Sequence, residues 1–232
     1  MRNVFLVIVV VLCGCSTTKE TIYVEKIPQN FLKNENRFDL DNKTFPVKKE
    51  ALFKFSLSRN DTLLETKTNL IKLNILGTTK PFSNFDADYS QTVIQYSYYD
   101  KENKLLISEK TGLIENDVNI WIHPPRSSDA GILQLSAFPY IKFNNTKKWN
   151  WKLEASFEDY KNVNLNHQYK LKKNIKYKSA EFGIILCDLI QATTISEIGT
   201  THSSFLFNKE LGFVFLEFFN IDGTKITLSI TK

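Results

Sequence analysis

Glycine is scarce, with eight residues in 232. The chain therefore has no glycine-rich loop to cradle a phosphate and no G-x-S-x-G elbow to expose a nucleophilic serine. Histidine is scarcer still. His123, His167 and His202 lie 35 to 44 residues apart, so none belongs to a short metal-ligand motif such as H-E-x-x-H. Only spatial assembly of scattered His, Asp and Ser residues would give a hydrolase site. The sequence implies no cofactor and no metal. Three cysteines, two of them within the first 15 residues, make no disulfide framework. Charge of one sign is missing too: 30 basic side chains face 25 acidic ones. That thin surplus argues neither for nucleic acid nor for an acidic substrate, and no nucleic-acid partner is expected. Lysine outnumbers arginine 26 to 4 and asparagine occurs 21 times, a bias that reads as an AT-rich genome.

Long apolar runs are also absent. The longest, residues 4–12, has nine members. As a helix it would rise about 13–14 Å, against a hydrocarbon core of roughly 30 Å, so it cannot span a membrane. Behind Arg2 it has the form of a secretory signal. The next residues, Leu12-Cys13-Gly14-Cys15, resemble the lipobox of bacterial lipoproteins. Cleavage there needs a small residue before the modified cysteine. Gly14 precedes Cys15, whereas bulky Leu12 precedes Cys13, which selects Cys15 as the lipidated residue. The resemblance implies a thioether to diacylglycerol and an acylated amine. At about 0.8 kcal/mol per buried methylene, two or three long chains anchor the protein to a membrane effectively permanently. Ser16 follows, where the inner-membrane retention signal of well-studied systems is Asp, so the expected destination is the outer membrane.

Cleavage before Cys15 removes 14 residues and leaves 218. Residues 15–48 carry Thr, Lys, Asn and Glu with isolated apolar residues, plus Pro28 and Pro46. Such composition buries little surface and reads as a tether, with one short strand near residues 22–27. From residue 49 the period is two. Phe53, Phe55 and Leu57 alternate with polar residues, as do Ile71, Leu73 and Ile75, then Ile94, Tyr96 and Tyr98, then Trp149, Trp151 and Leu153. These are half-buried strands. Turn residues fall between them at Asn60-Asp61, 100–103, 208–212 and Asp222-Gly223, the last expected as a two-residue hairpin turn. The expected fold of residues 49–232 is all-β, an antiparallel barrel or two-layer sandwich. Residues 182–190 and 211–219 are apolar on both faces, so they line either a dense core or an apolar cavity.

Few side chains stand out as candidates for chemistry. In Trp121-Ile122-His123-Pro124-Pro125-Arg126 the prolines end a strand and stiffen a loop. The loop presents His123 and Arg126 as possible ligand or partner contacts, an imidazole and a guanidinium suited to an anion. Alternatively Arg126 pairs with Asp129 and His123 caps backbone carbonyls. Trp149 and Trp151 share one strand face, either as a sugar-stacking platform or as core. Cys187 lies in an apolar run and reads as a small core hydrophobe. Lys170, Lys172, Lys173, Lys176 and Lys178 read as a solvated strand face.

The order Thr111-Gly112, Trp121-Ile122-His123-Pro124-Pro125-Arg126, Phe138-Pro139-Tyr140-Ile141, Trp149-x-Trp151, Gly212-Phe213-Val214 and Ile221-Asp222-Gly223 resembles uncharacterised Gram-negative envelope lipoproteins over most of residues 90–232. That resemblance implies an envelope lipoprotein and no known active site. A looser one is to periplasmic lipid-carrier half-barrels, from which this chain departs by lacking lid helices. The expected function is non-catalytic: a membrane-anchored β domain that binds an envelope protein partner or an apolar ligand. The alternative is a structural scaffold without a ligand cavity.

Overall fold

The computed structural model describes residues 50–78, 92–115, 119–143, 146–155 and 163–232. Cys13, Cys15, the signal and the tether expected over residues 15–48 lie outside the described residues. Thirteen strands occur among the described residues. In the first half they are β1 (Glu50–Arg59), β2 (Thr62–Leu63), β3 (Leu70–Thr78), β4 (Thr92–Tyr99), β5 (Leu105–Glu115), β6 (Asn119–Ile122) and β7 (Tyr140–Lys142). The second half holds β8 (Lys148–Ala155), β9 (Val163–Ser179), β10 (Gly183–Ser196), β11 (Gly199–Asn208), β12 (Gly212–Phe219) and β13 (Thr224–Thr231).

All thirteen belong to one antiparallel sheet. β1 lies in its middle and pairs with β3 on one side and β13 on the other. From β3 a meander runs out to β7, and from β13 another runs back to β8. The all-β antiparallel class holds, and the sheet is single, continuous and open between β7 and β8. The alternating residues supply its inner face. Phe53 pairs with Ile230 and Ile71, and Ile71 pairs with Tyr98. All four are buried, and each such side chain contributes about 1.5–3 kcal/mol.

Two turns show how local chemistry sets register. Asn60 and Asp61 have φ of 49° and 59°, and Arg59 pairs with Thr62 across them. Asparagine and aspartate tolerate this left-handed pair, which matches the twist of a two-residue hairpin. Asp222-Gly223 differs from the expected two-residue turn. Ile221, Asp222 and Gly223 form a three-residue loop, with the Asn220 amide donating to the Thr224 carbonyl at 2.8 Å. Only Gly223 is left-handed, at φ 78°. The Asp222 carboxylate accepts from the Thr224 amide (3.0 Å) and hydroxyl (2.7 Å), which favours the longer loop.

The concave side of the sheet is filled by its own chain. Residues 123–139 leave β6, turn through a 3-10 helix at Ser128–Leu135 and return as β7. Ala130, Leu133, Ala137 and Phe138 are fully buried. This plug touches both wings: the Thr68 amide donates to Asp129 (2.9 Å), and the Ser136 hydroxyl donates to the Asn220 side-chain carbonyl (3.3 Å). Among the described residues, the gap that Phe53, Tyr96, Ile122, Phe213, Leu216 and Leu228 line measures about 20 Å³, room for one water and no acyl chain.

Outside this core, β9 and β10 run past their neighbours. β8 pairs with β9 only as far as Lys170, and β11 reaches β10 only from Asp188. The hairpin over residues 173–187 is therefore a two-stranded arm. A bulge sets it off, with Asn174 at φ 58° and its amide donating to the Asp188 carboxylate (3.2 Å). One face of the arm packs back on the body, Tyr177 meeting Phe215 at 5.9 Å between ring centroids. Cys187 sits on that face, across from Ile175, and is 2% exposed. Burial, then the Asp188 charge, pushes its thiol up to about 11. A water-soluble maleimide should therefore label the native protein far more slowly than the denatured one. Cys187→Ser should cost about 1–3 kcal/mol by burying a hydroxyl. Rapid native labelling would place the thiol in an open pocket.

Candidate functional site

The proline loop is bolted to the sheet by a carboxylate. Glu109 lies across from Tyr96 in the β4–β5 ladder and so points to the inner face, where Thr111 and Leu113 also point. It would be an isolated charge there but for the loop. Its Oε1 accepts from the Arg126 amide at 2.7 Å and from the Tyr98 hydroxyl; its Oε2 accepts from the Ser127 hydroxyl at 2.7 Å. The Arg126 Nε lies 3.7 Å from Oε2. Tyr98 in turn accepts from the Ser127 amide at 3.0 Å. Burial first, then the Glu109 charge, raises the Tyr98 phenol well above its ordinary value, which keeps it a proton donor. Tyr96 donates to the His123 carbonyl at 2.9 Å.

This geometry corrects one expectation. Arg126 pairs with Glu109, not Asp129, because Asp129, in the first turn of the 3-10 helix, accepts from the Thr68 amide at 2.9 Å. The prolines direct residues 126–127 back onto β5, where Glu109 waits 17 positions upstream. His123 is buried, with Nδ1 3.0 Å from the Pro124 carbonyl and its ring 4.6 Å from Phe138. Backbone capping by His123, raised from the sequence alone, is the arrangement found.

A second cluster closes the open side of the sheet. Phe138, just before β7, packs against Trp151 (5.7 Å) of β8, His167 (6.0 Å) of β9 and Trp121 (5.5 Å) of β6. Tyr140 meets Trp149 at 5.6 Å and Tyr169 at 5.5 Å. Trp149 stacks flat on Tyr169, at 5.3 Å and 3°. The Tyr169 hydroxyl accepts from the Trp151 indole at 2.7 Å and donates to the Phe138 carbonyl at 3.1 Å. It thereby satisfies a backbone acceptor where no strand ladder joins the two edges. Offset and edge-on rings of this kind add about 0.5–1.5 kcal/mol per pair beyond their burial.

The structure thus gathers Trp149, Trp151 and His123 around one aromatic seam and leaves Arg126 with Glu109. Trp149 and Trp151 are 7% and 6% exposed; both indoles face inward, so neither presents a face on which a sugar could stack. His202 stands apart, exposed on β11, with Nδ1 3.2 Å from the Thr193 hydroxyl. Glu109 and Tyr169 carry no mark in the sequence reading; Phe138 enters only in the family pattern and His167 only as a histidine outside any metal motif. Glu109 could have been found by counting back in twos from Leu113. Nothing in the sequence signals that Phe138 and His167 pack together. Among the described residues, no cluster of three His, Cys, Asp or Glu side chains could hold a metal.

One open groove lies outside the core. It measures about 430 Å³ and is lined by Glu50, Leu52, Lys72, Phe182, Thr231 and Lys232, with Ala51 and Ile230 beneath. Its cations have local partners: Lys72 pairs with Glu50 at 2.8 Å, and Lys232 sits 5.4 Å from the Phe182 ring.

No family model and no curated protein matches the chain. Among solved structures it is similar to a protein of Parabacteroides distasonis provisionally designated a lipoprotein. Identity is 10% and the TM-score 0.44, over 80% of this chain and 95% of that one. A provisionally designated exported protein with a YmcC-like fold from Bacteroides fragilis is similar at 13% identity and a TM-score of 0.39, over 81% and 98%. The hypothetical lipoprotein YmcC from Escherichia coli is similar at 11% identity and a TM-score of 0.38, over 83% and 91%. All three carry lipoprotein or exported-protein designations.

Proposed function

We propose that this chain is a bacterial envelope lipoprotein, lipidated on Cys15 and held at the outer membrane, whose β domain works by binding and not by catalysis. The observation that carries the anchor is the sequence Leu12-Cys13-Gly14-Cys15 directly behind a nine-residue apolar run. Support for a scaffold comes from the plugged concave side. The strands that would wall a lumen meet across a gap of about 20 Å³, and the polar groups of the proline loop are bonded to the protein's own chain. The surface is then what a partner in the envelope reads. An apolar ligand would have room in the 430 Å³ groove beside Phe182 and Leu52.

The anchor is tested by metabolic labelling with a clickable fatty acid in the native host. Cys15→Ala should abolish label and membrane retention, and Cys13→Ala should preserve both. Equal loss from the two changes would overturn the choice of cysteine. Recovery of labelled protein with the inner membrane on a density gradient would overturn the outer-membrane assignment.

A further inference from the structure

The arm over residues 173–187 carries a face that packs against nothing else among the described residues. Register places Lys176 across from Leu186 and Lys178 across from Ile184, all four on the side away from the packed Tyr177 and Cys187. Ile184 and Leu186 are 72% and 58% exposed. Lys170, Lys172 and Lys173 extend the basic stretch towards the body, and all are exposed. Against these five lysines the same stretch, residues 170–188, has two acids, Glu181 and Asp188. Asp188 is occupied by the Asn174 amide. None of the five lysines is in an ion pair among the described residues.

Lysines on an unpaired strand edge discourage another strand from adding to it. That explains the charges and leaves the aliphatics unexplained, because exposed Ile184 and Leu186 would favour the association the lysines oppose. Branched aliphatics interleaved with cations are instead the composition of elements that lie on a membrane. There the apolar side chains enter the headgroup boundary and the ammonium groups meet anionic lipid. A protein partner fits less well: interface cores are depleted of lysine and enriched in aromatics, and this face has none.

We propose that the outward face of the β9–β10 arm docks on an anionic phospholipid bilayer, with Ile184 and Leu186 entering the headgroup region and Lys176 and Lys178 contacting phosphate. This rests on the anchored-lipoprotein reading. A stretch of 34 residues separates Cys15 from Glu50, which at 3.3–3.6 Å per residue limits Glu50 to within roughly 120 Å of the lipid, and Phe182 at the tip of the arm lines the same groove as Glu50. At that confinement a contact too weak to hold a free protein is populated, because docking becomes an intramolecular event.

The test uses the full-length lipidated protein carrying Ile184→Cys, labelled with an environment-sensitive fluorophore. Cys187 stays buried and Cys15 is blocked by lipid, so the label is selective. The protein is reconstituted on vesicles of phosphatidylcholine alone, or with phosphatidylglycerol added. Flotation reads the anchor and emission reads the arm. The expected result is co-flotation with both vesicles, and a several-fold rise in emission only with the anionic ones. About 1 M salt, where the screening length is about 3 Å, should abolish the rise. So should Lys176→Glu with Lys178→Glu, which leaves the packed face intact. A label that stays in water on both vesicles overturns the proposal, and so does equal entry into both. Flotation lost from the neutral vesicles, with emission still rising on the anionic ones, would sink the anchor and keep the arm.

Discussion

Glu109→Ala should lower the stability of the domain by about 3–5 kcal/mol, the range expected when one partner of a largely buried charged network is removed. The side chain is 11% exposed and that of Arg126 23%, so water can reach the site only in part. Four groups lose their acceptor together: the Tyr98 and Ser127 hydroxyls, the Arg126 amide and the Arg126 guanidinium. Tyr98 is fully buried; its hydroxyl would still accept from the Ser127 amide but its O–H would have nothing to donate to, which alone costs about 1–3 kcal/mol. For a domain of this size the melting temperature should fall by roughly 10–15 °C. Glu109→Gln should recover part of the loss, because its carbonyl still accepts one or two of these bonds. Ser127→Ala should cost much less alone, and next to nothing once Glu109 is gone, since both changes remove the same contact. A loss under about 1 kcal/mol for Glu109→Ala would mean that the loop holds its place by packing alone.

That network also shows where sequence reading stops. The period of two found the strands: Phe53, Ile71, Leu73, Ile94, Tyr96, Tyr98, Trp149, Trp151 and Leu153 all face inward and are buried. Alternation reports which side of a strand is wet, a property of the residue and its neighbours two positions away. It is silent on which strand lies beside which. β1 and β13 pair over some 170 residues of separation, as in Ser56 with Thr227, and no local pattern encodes that choice. The same limit hid the partner of Arg126. Asp129 was near in sequence, and Glu109 was near in space because β5 and the loop leaving β6 are adjacent in the sheet.

The apolar residues 182–190 had a similar cause. They read as a strand covered on both faces, in a dense core or along an apolar cavity. They leave the body at Asp188, where β11 stops pairing with β10, and fall into three environments. Ile190 belongs to the core, Ile185 and Cys187 pack the arm onto the outside of the sheet, and Ile184 and Leu186 face solvent. The bulge at Asn174 adds its residue to β9 and leaves the alternation of β10 unbroken, so Ile184 and Leu186 lose their cover where the neighbouring strands end, and nothing in the composition of the strand marks that point. The plug was hidden for a different reason. An eight-residue 3-10 segment with no amphipathic period leaves no helical signature, yet it fills the concavity that a carrier would keep open.

His167 makes the closing seam sensitive to acid, and this should be the largest pH effect traceable to one residue. The ring is fully buried between Trp151 at 4.6 Å and Phe138 at 6.0 Å. Nδ1 lies 2.9 Å from the Thr194 hydroxyl, and Nε2 has no hydrogen-bond partner. A bare lone pair is cheaper to bury than an unpaired N–H, so the neutral ring carries its proton on Nδ1 and donates to Thr194. Burial lowers the His167 pKa to about 3, whereas the unfolded chain takes up the proton near its ordinary 6.5. Between those values the unfolded state holds one more proton than the folded state, so stability rises with pH there. The contribution is complete above about pH 6.5 and falls by about 1.4 kcal/mol per pH unit as the pH drops towards 3, on the order of 5 kcal/mol in all. Carboxylates protonate in the lower part of the same window, so the comparison is with His167→Asn, whose side-chain amide can keep the bond to Thr194 and does not titrate. Denaturant melts of both proteins at several pH values between about 7 and 4 should diverge by that slope. Curves that run parallel would mean the native seam admits a protonated ring, through water reaching Nε2 or through local opening of Phe138. Divergence would identify the aromatic seam, and not the β1–β13 pairing, as the part of the sheet that acid opens.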